Sequence, residues 1–325
     1  MQSLIFEEVF AALTSMQLGA KEVARLRAWI LSLVHAGECL DLIAQAAGTP
    51  CCPHCRCTRT HRYGTASGLQ RWRCLACRRT FNALTGTPLA RLRKRAAWLP
   101  YLQCVLDSRT VRAAAEVVGV HRTTSFRWRH RFVPRAAQQR PARLEGMVEA
   151  DETCMLESQK GSRHLDRPPR RRGGVASRRG INRDHECLLV ARDRGRQTLD
   201  FHTGRGPVSA ASLDACMRPV LAPDVLLISD SAKAYQAFAA GAGISHESVN
   251  LRAGVRARGA IHLNNVNGWY SRYKTWLRRF NGIASRYLLH YSGWQRVIDD
   301  GLLRTSSQLL VAIIQSAVPR QHKPN

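Results

Sequence analysis

The sequence predicts a multidomain α/β protein in which small cysteine-bearing and helical modules precede a C-terminal domain of strands and helices. Three observations carry that reading. Strand-length apolar runs recur after residue 145, interleaved with helical periods. Two cysteine pairs recur at a fixed spacing between residues 52 and 77. A chain of 325 residues with 45% hydrophobic content is also long enough for two or three modules that bury a real core.

Residues 1–47 read as an N-terminal helical region, because apolar residues recur at three and four in "FEEVFAAL" and "VARLRAWILSLV", with Gly19 and Gly37 as punctuation. Residues 48–92 follow as a zinc ribbon. "CPHC" at 52–55 and "CLAC" at 74–77 form two C-x2-C knuckles with eighteen residues between them, the spacing of a tetrahedral zinc site. Cys52, Cys55, Cys74 and Cys77 are the expected ligands of a structural Zn²⁺, although Cys51 and Cys57 leave the choice open. Free thiols are the plainer reading, but a hairpin pair with so little apolar content needs a metal to fold. Cys39, Cys104, Cys187 and Cys216 sit in apolar stretches and read as small buried hydrophobes.

Residues 93–134 read as a helix-turn-helix DNA-binding domain. "SRTVRAAAEVVGVHRTTSFRWRHRF" has an Ala- and Val-rich helix, a turn at Gly119 and a second helix starting near His121. That second helix would present Arg122, Thr123, Thr124 and Arg127 outward, residue types that meet phosphates and base edges in a major groove. Ala-rich helix pairs also occur in plain bundles. What favours DNA is charge: from Arg56 to Arg135 there are eighteen Lys and Arg against only Asp107 and Glu116.

The proline-bearing stretch 133–146 reads as a linker to a domain spanning 145–300. There "MVEADETCML", "ECLLVARD" and "QTLDFHT" are strand-like, then come a helix, the buried strand "DVLLISD" and the helix "SAKAYQAFAAGAG". A basic, Pro/Gly-rich insertion at 158–183 reads as a flexible loop, and 301–325 as a C-terminal helix and tail. Asp151 lies within the first strand, where a carboxylate among apolar neighbours is costly unless paired or holding a metal. Asp230 closes its strand, either as a ligand or as the cap of the next helix. Between Ser248 and Ile298 there is no acid against nine Lys and Arg, so an anion is expected beside this stretch.

The whole chain carries a formal charge of +27, which points to a polyanion as partner. No run of about 18 consecutive apolar residues is present, and the N-terminus lacks the basic head of a signal peptide. A cytoplasmic, nucleoid-associated protein with no membrane partner is the expectation.

Asp on strand one ("VEADETCM"), Asp on strand four ("LLISDSAKAY") and "H-x-N-x-V-N-x-x-x-S-x-x-K" on a late helix follow the zinc ribbon and helix pair. In this order they resemble bacterial insertion-sequence transposases of the DDE/DDNK type, the ISXO-like group. The resemblance covers residues 50–300 and implies an α/β catalytic core of RNase H-like type, a mixed sheet with helices. It implies Asp151, Asp230 and Asn267 as ligands of catalytic Mg²⁺ or Mn²⁺, with Lys274 on a phosphate. It further implies double-stranded DNA, both transposon ends and target, as partner, and a homo-oligomer in the synaptic complex. Where others of the group carry Glu, this chain has Asn267, a weaker but legitimate hard ligand. Trp269 is a candidate for stacking on exposed bases, and His262 for capping the helix or lying near the metals. The rival readings are a DNA-binding regulator with a degenerate core and a junction-resolving nuclease.

Overall fold

The computed structural model describes residues 2–16, 18–171, 174–250, 253–254 and 256–315. Helix α1 (Gln2–Ser15) and helix α2 (Ala20–Ala47) open the chain. Gly19 caps α2 as expected, but α2 runs uninterrupted through Gly37, whose missing side chain costs less than breaking a 28-residue helix. Only Cys39 and Ile43 of α2 are buried, while Trp29, Leu33 and Val34 are exposed. By length and composition α2 could cross a membrane, the one such helix among the described residues, and core helices pass the same test.

A three-stranded antiparallel sheet follows, built from β1 (Thr60–Ala66), β2 (Leu69–Cys74) and β3 (Thr80–Phe81) in that order. The β1–β2 turn needs two residues with positive φ, and Ser67 (52°) and Gly68 (75°) supply them. Next come α3 (Trp98–Leu106), α4 (Val111–Val117) and α5 (Arg122–Ala136). Thr110 caps α4 by accepting from the Ala113 N–H, and His121 caps α5 by accepting from the Thr123 N–H, both at 3.2 Å. Gly119, at φ 63°, turns the chain between them.

The C-terminal sheet contains β4 (Met147–Leu156), β5 (His185–Asp193), β6 (Thr198–Arg205), β7 (Leu226–Asp230) and β8 (Ser245–Val249). Its order is β6-β5-β4-β7-β8: the first three strands are an antiparallel meander, and β7 and β8 run parallel to β4. This is a mixed sheet with helices, as expected. Helices α6 (Ala210–Met217) and α7 (Lys233–Ala242) cover one face, packing on Val148, Ala150, Leu189 and Leu227. A small ribbon of β9 (Ala257–Arg258) and β10 (Ile261–His262) leads into α8 (Asn264–Arg278), which covers the other face over Leu188, Val190 and Ile228. Helices α9 (Leu288–Asp299) and α10 (Ser306–Gln315) then join α3, α5 and α8 in one apolar core.

Three details differ from the sequence reading. Cys187 is not a lone buried thiol: it sits opposite Cys154 on the neighbouring antiparallel strand, and the two form a disulfide. The basic insertion has no helix or strand among its described residues, but it is pinned rather than free. Arg167 pairs with buried Glu157 at 2.7 Å, and the Lys160 ammonium donates to the Asn281 and Gly282 carbonyls at 2.8 Å each. The stretch after α5 is also tied down, since buried Arg296 of α9 donates to the Ala137 and Gln139 carbonyls and pairs with Asp200 at 2.6 Å.

At this junction α5 and α9 meet through a glycine. A Cβ on Gly293 would stand 2.4 Å from the Ala137 Cβ and 3.0 Å from its Cα, backbone that cannot yield without moving a helix. Gly293→Ala should therefore lower stability by about 1–3 kcal/mol, read from urea or thermal unfolding, although alanine is the better helix former.

Candidate active site

The β4–β7 register fixes the two aspartates. Met147, Val148 and Glu149 pair with Leu226, Leu227 and Ile228, and continuing the ladder by two residues sets Asp151 level with Asp230. Both share strand parity with Glu149 and Ile228 and so belong to the α8 face of the sheet, one interstrand spacing apart, about 4.8 Å. Each carboxylate ties itself locally with one oxygen: Asp151 Oδ1 accepts from the Glu152 N–H at 2.9 Å and Asp230 Oδ1 from the Ala232 N–H at 3.0 Å. Asp230 thus initiates the turn into α7 and keeps its second oxygen free of that duty.

Electrostatics mark the pair. Burial pushes the Asp151 carboxyl up to about 6; the Glu152 N–H and Lys274 pull it down, while Asp230 adds to the rise. Burial likewise raises Glu152 to about 7, with Asp151 and Asp230 contributing. Glu152 has the opposite parity and stands beside Tyr235 on the α7 side. An aspartate raised mainly by burial, with a second carboxylate beside it and a cation relieving it, suits a site for a positively charged ligand.

Helix α8 lies over this pair because of a residue the sequence reading passed over. Glu149 is fully buried and accepts from the backbone N–H groups of Asn265 (2.8 Å) and Val266 (3.0 Å) and from Asn265 Nδ2 (2.7 Å). These backbone donors belong to the first turn of α8, so a strand carboxylate caps a helix 116 residues away. Arg194 at 2.9 Å completes the cage. His262 is a capping residue, accepting from the Asn264 N–H. Glu149 is part of the anion that the acid-free stretch demanded.

From that anchor α8 runs past the aspartates. The Tyr270 hydroxyl donates to the Asp151 carbonyl, and the Lys274 ammonium stands 5.9 Å from the Tyr270 ring centre. Asn267 lies on the same helical face, exposed, with no side-chain hydrogen bond among the described residues. Trp269 does not face solvent: it is wholly buried and stacked on Tyr273, with ring centres 5.0 Å apart, so it cannot meet DNA bases. Asp299 and Asp300 are engaged elsewhere, with Arg272 and Arg192 on the first and Arg192 and Thr198 on the second.

The four knuckle cysteines converge. The Sγ atoms of Cys52, Cys55, Cys74 and Cys77 all lie within 4.8 Å of one another, with Cys52–Cys77 at 3.6 Å and Cys55–Cys74 at 3.5 Å. Those edges fit a tetrahedron of bonds of about 2.3 Å around zinc. The two turns match: Arg56 and Arg78, each just after its second cysteine, take φ near 60°, and their N–H groups reach back to the Cys52 and Cys74 carbonyls. Cys51 and Cys57 turn to the carbonyls of Arg56 and Arg59 and stay outside the cluster. On α5, Arg122, Thr123 and Arg127 are exposed and Thr124 is half-buried.

Residues 143–294 match the family model of the ISXO2-like transposase domain. Over 274 residues the chain is 27% identical to an uncharacterized protein in transposable element ISH50 of Halobacterium salinarum, covering 82% of this chain and 91% of that one. That relative is archaeal, so the resemblance is wider than the bacterial group. Solved structures with likeness include a pre-cleavage Mos1 transpososome (14% identity, 68% of this chain and 79% of that one, TM-score 0.22). A Mos1 strand transfer complex follows at 16% identity, 61% and 74% coverage and TM-score 0.19. These overlaps are loose, and the strand order described above rests on this chain's own backbone.

Two outcomes are expected. Purified protein should carry about one zinc per chain, and Cys74→Ser should lose it, as read by metal analysis. Glu149→Ala should cost roughly 3 kcal/mol in unfolding free energy, because it uncaps α8 and strands Arg194; an unchanged melting curve would show that α8 is held by packing alone.

Proposed function

Taking the ISXO2-like transposase domain at residues 143–294 as premise, we propose that the protein is a DNA transposase that binds the ends of an insertion sequence and catalyses metal-dependent strand cleavage and strand transfer. The observation that carries this reading is the level placement of Asp151 and Asp230 on adjacent parallel strands, with Lys274 approaching from α8. The five-strand order, an antiparallel meander followed by two parallel strands, supports an RNase H-like core.

Asp151 and Asp230 would hold Mg²⁺ or Mn²⁺, with the exposed Asn267 amide oxygen as a neutral third donor. When bound, the metal supplies activation of the attacking oxygen and stabilisation of the leaving one. The chain's own residues do the rest. Burial raises Asp151 to about 6, and a cation held beside it would favour the ionised form that serves as ligand. Lys274 meets a phosphate oxygen of the strand, and its charge keeps Asp151 ionised. Tyr270, held on the Asp151 carbonyl, fixes the helix face that carries Asn267 and Lys274. Arg122, Thr123, Thr124 and Arg127 on α5, with the surrounding basic charge, would position the duplex. Two chains would be needed to join two ends.

Incubating supercoiled plasmid that carries paired ends with protein and Mn²⁺ tests this reading. Asp151→Asn and Asp230→Asn should abolish cleavage, a loss of at least about a hundredfold, and leave end binding intact. Asn267→Ala should lose most activity, while Asn267→Glu keeps part of it with an altered Mg²⁺ to Mn²⁺ preference. Transposition by Asn267→Ala at the wild-type rate would remove the amide from the site. End binding without cleavage under every metal would instead favour a DNA-binding regulator.

A further inference from the structure

A second cleft, of about 590 Å³, opens between α5, the start of α4 and the segment that follows α8. It does not include the aspartate pair, and none of the positions singled out above as metal-binding or DNA-reading lines it. Five cations do, Arg112, Arg129, Lys160, Arg279 and Arg286, and no carboxylate. Among the described residues none of these five pairs with an acid.

Arg129 is the most telling of them. Its side chain is wholly buried, and one guanidinium nitrogen donates to the Arg109 carbonyl. Its Nε and Nη1 make no close hydrogen bond among the described residues, and what stands near the guanidinium is neutral, the Tyr101 and Tyr291 hydroxyls. The plane instead lies over Trp294, 5.0 Å from its ring centre, and Phe280, 5.9 Å away. A buried cation without counter-charge is costly, and an anion close by would repay it.

The cleft also has an aromatic wall. His130 stacks on Tyr287 with ring centres 3.8 Å apart and planes 25° apart, and Phe126 stands 4.3 Å from His130. Burial, with Arg129 beside it, lowers His130 to about 4, so the imidazole is neutral and acts as a π surface. Phe126 is 42% exposed, an apolar ring left open at the rim. Cations without acids select an anion, and a stacked aromatic wall selects a flat ring, so the cleft suits a molecule that joins the two.

We propose that this cleft receives one unpaired nucleotide of a DNA strand, with its base against Phe126 and His130, which Tyr287 backs from behind with Arg286 over its ring, and its phosphate between Arg279 and Arg286. This rests on the DNA-acting reading above and adds to it a specific site for single-stranded character. The volume falls within the roughly 300–1,000 Å³ of sites that enclose a small molecule, too small for a duplex. Arg279 follows Lys274 by five residues, about 7 Å along the helix axis.

The test uses full-length protein and fluorescence anisotropy with a blunt duplex and with the same duplex bearing a three-thymine single-stranded extension. The extension should tighten binding roughly tenfold, the scale of one stacked base. Phe126→Ala and the double variant Arg279→Ala/Arg286→Ala should erase that gain, with circular dichroism confirming that each is folded. The double variant should also weaken blunt-duplex binding, but by less than its effect on the extended probe. With 5-iodouracil in the extension, photocrosslinking should mark the peptide carrying Phe126 or Tyr287. Wild-type protein that binds the blunt duplex but gains nothing from the extension overturns the proposal and leaves the transposase reading standing. So does a gain that survives in both variants. Failure to bind any DNA would overturn the two together.

Discussion

The carboxylate of Glu149 holds the C-terminal domain in the geometry its candidate site needs. It is buried in the middle of the sheet, yet it is anchored to the first turn of α8 by backbone donors and to β5's end by Arg194. A buried charge survives only when its lone pairs are filled, and here they are filled by groups with no intrahelical partner of their own. The same contact sets the height of α8 above the strands. Because Glu149 and Asp151 are two residues apart on one strand face, fixing the helix against the first fixes which turn passes over the second. Tyr270 and Lys274 therefore reach Asp151 through a separate residue whose own role is structural.

The sheet supplies the other half of that geometry. Parallel pairing of β4 with β7 brings together two carboxylates that are far apart in sequence, and the register leaves no freedom in how they face. The raised Asp151 follows from the same placement: a carboxylate on the inner strand is desolvated and has a second carboxylate as neighbour. Several other acids of the domain are paired with cations instead. Asp200 has Arg296, Asp299 has Arg192 and Arg272, and Glu157 has Arg167. Asp151 and Asp230, like Asp193 at the end of β5, have backbone partners rather than an ion pair, and Lys274 is the cation that relieves Asp151.

Much of this was legible in the sequence, and the exceptions have physical causes. Cysteine spacing pointed to the four thiols that the structure brings together, because a knuckle is a local structure whose geometry is set within five residues, while Cys51 and Cys57 were set aside only by the fold. The strands from β4 to β7 were legible because buried strands carry apolar runs. β8, "SHESV", was missed, since an edge strand with mostly polar residues lacks that signal. Glu149 was visible as a second carboxylate in the same apolar strand, but its partners lie 45 and 116 residues away, and nothing local announces them. Trp269 was misjudged because α8 carries aromatics on more than one face. Periodicity shows that some must be buried without saying which. Cys187 was misread because cross-strand pairing depends on a register that sequence alone does not fix.

The basic charge of the chain also resolves into distinct jobs once the partners are known. Arg194, Arg192 and Arg296 neutralise buried acids and belong to the fold. Arg122 and Arg127 stand exposed on α5. Arg129, on the same helix as Arg127 and only two residues on, does neither: it points inward to an aromatic floor and remains without an acid. Helical geometry explains how neighbours can differ so sharply, since two residues on a helix point about 200° apart. Helix α5 thus presents charge on two sides, one open to solvent and one turned to the cleft shared with the end of α8, so α5 and the aspartate-bearing domain are joined through a packed interface.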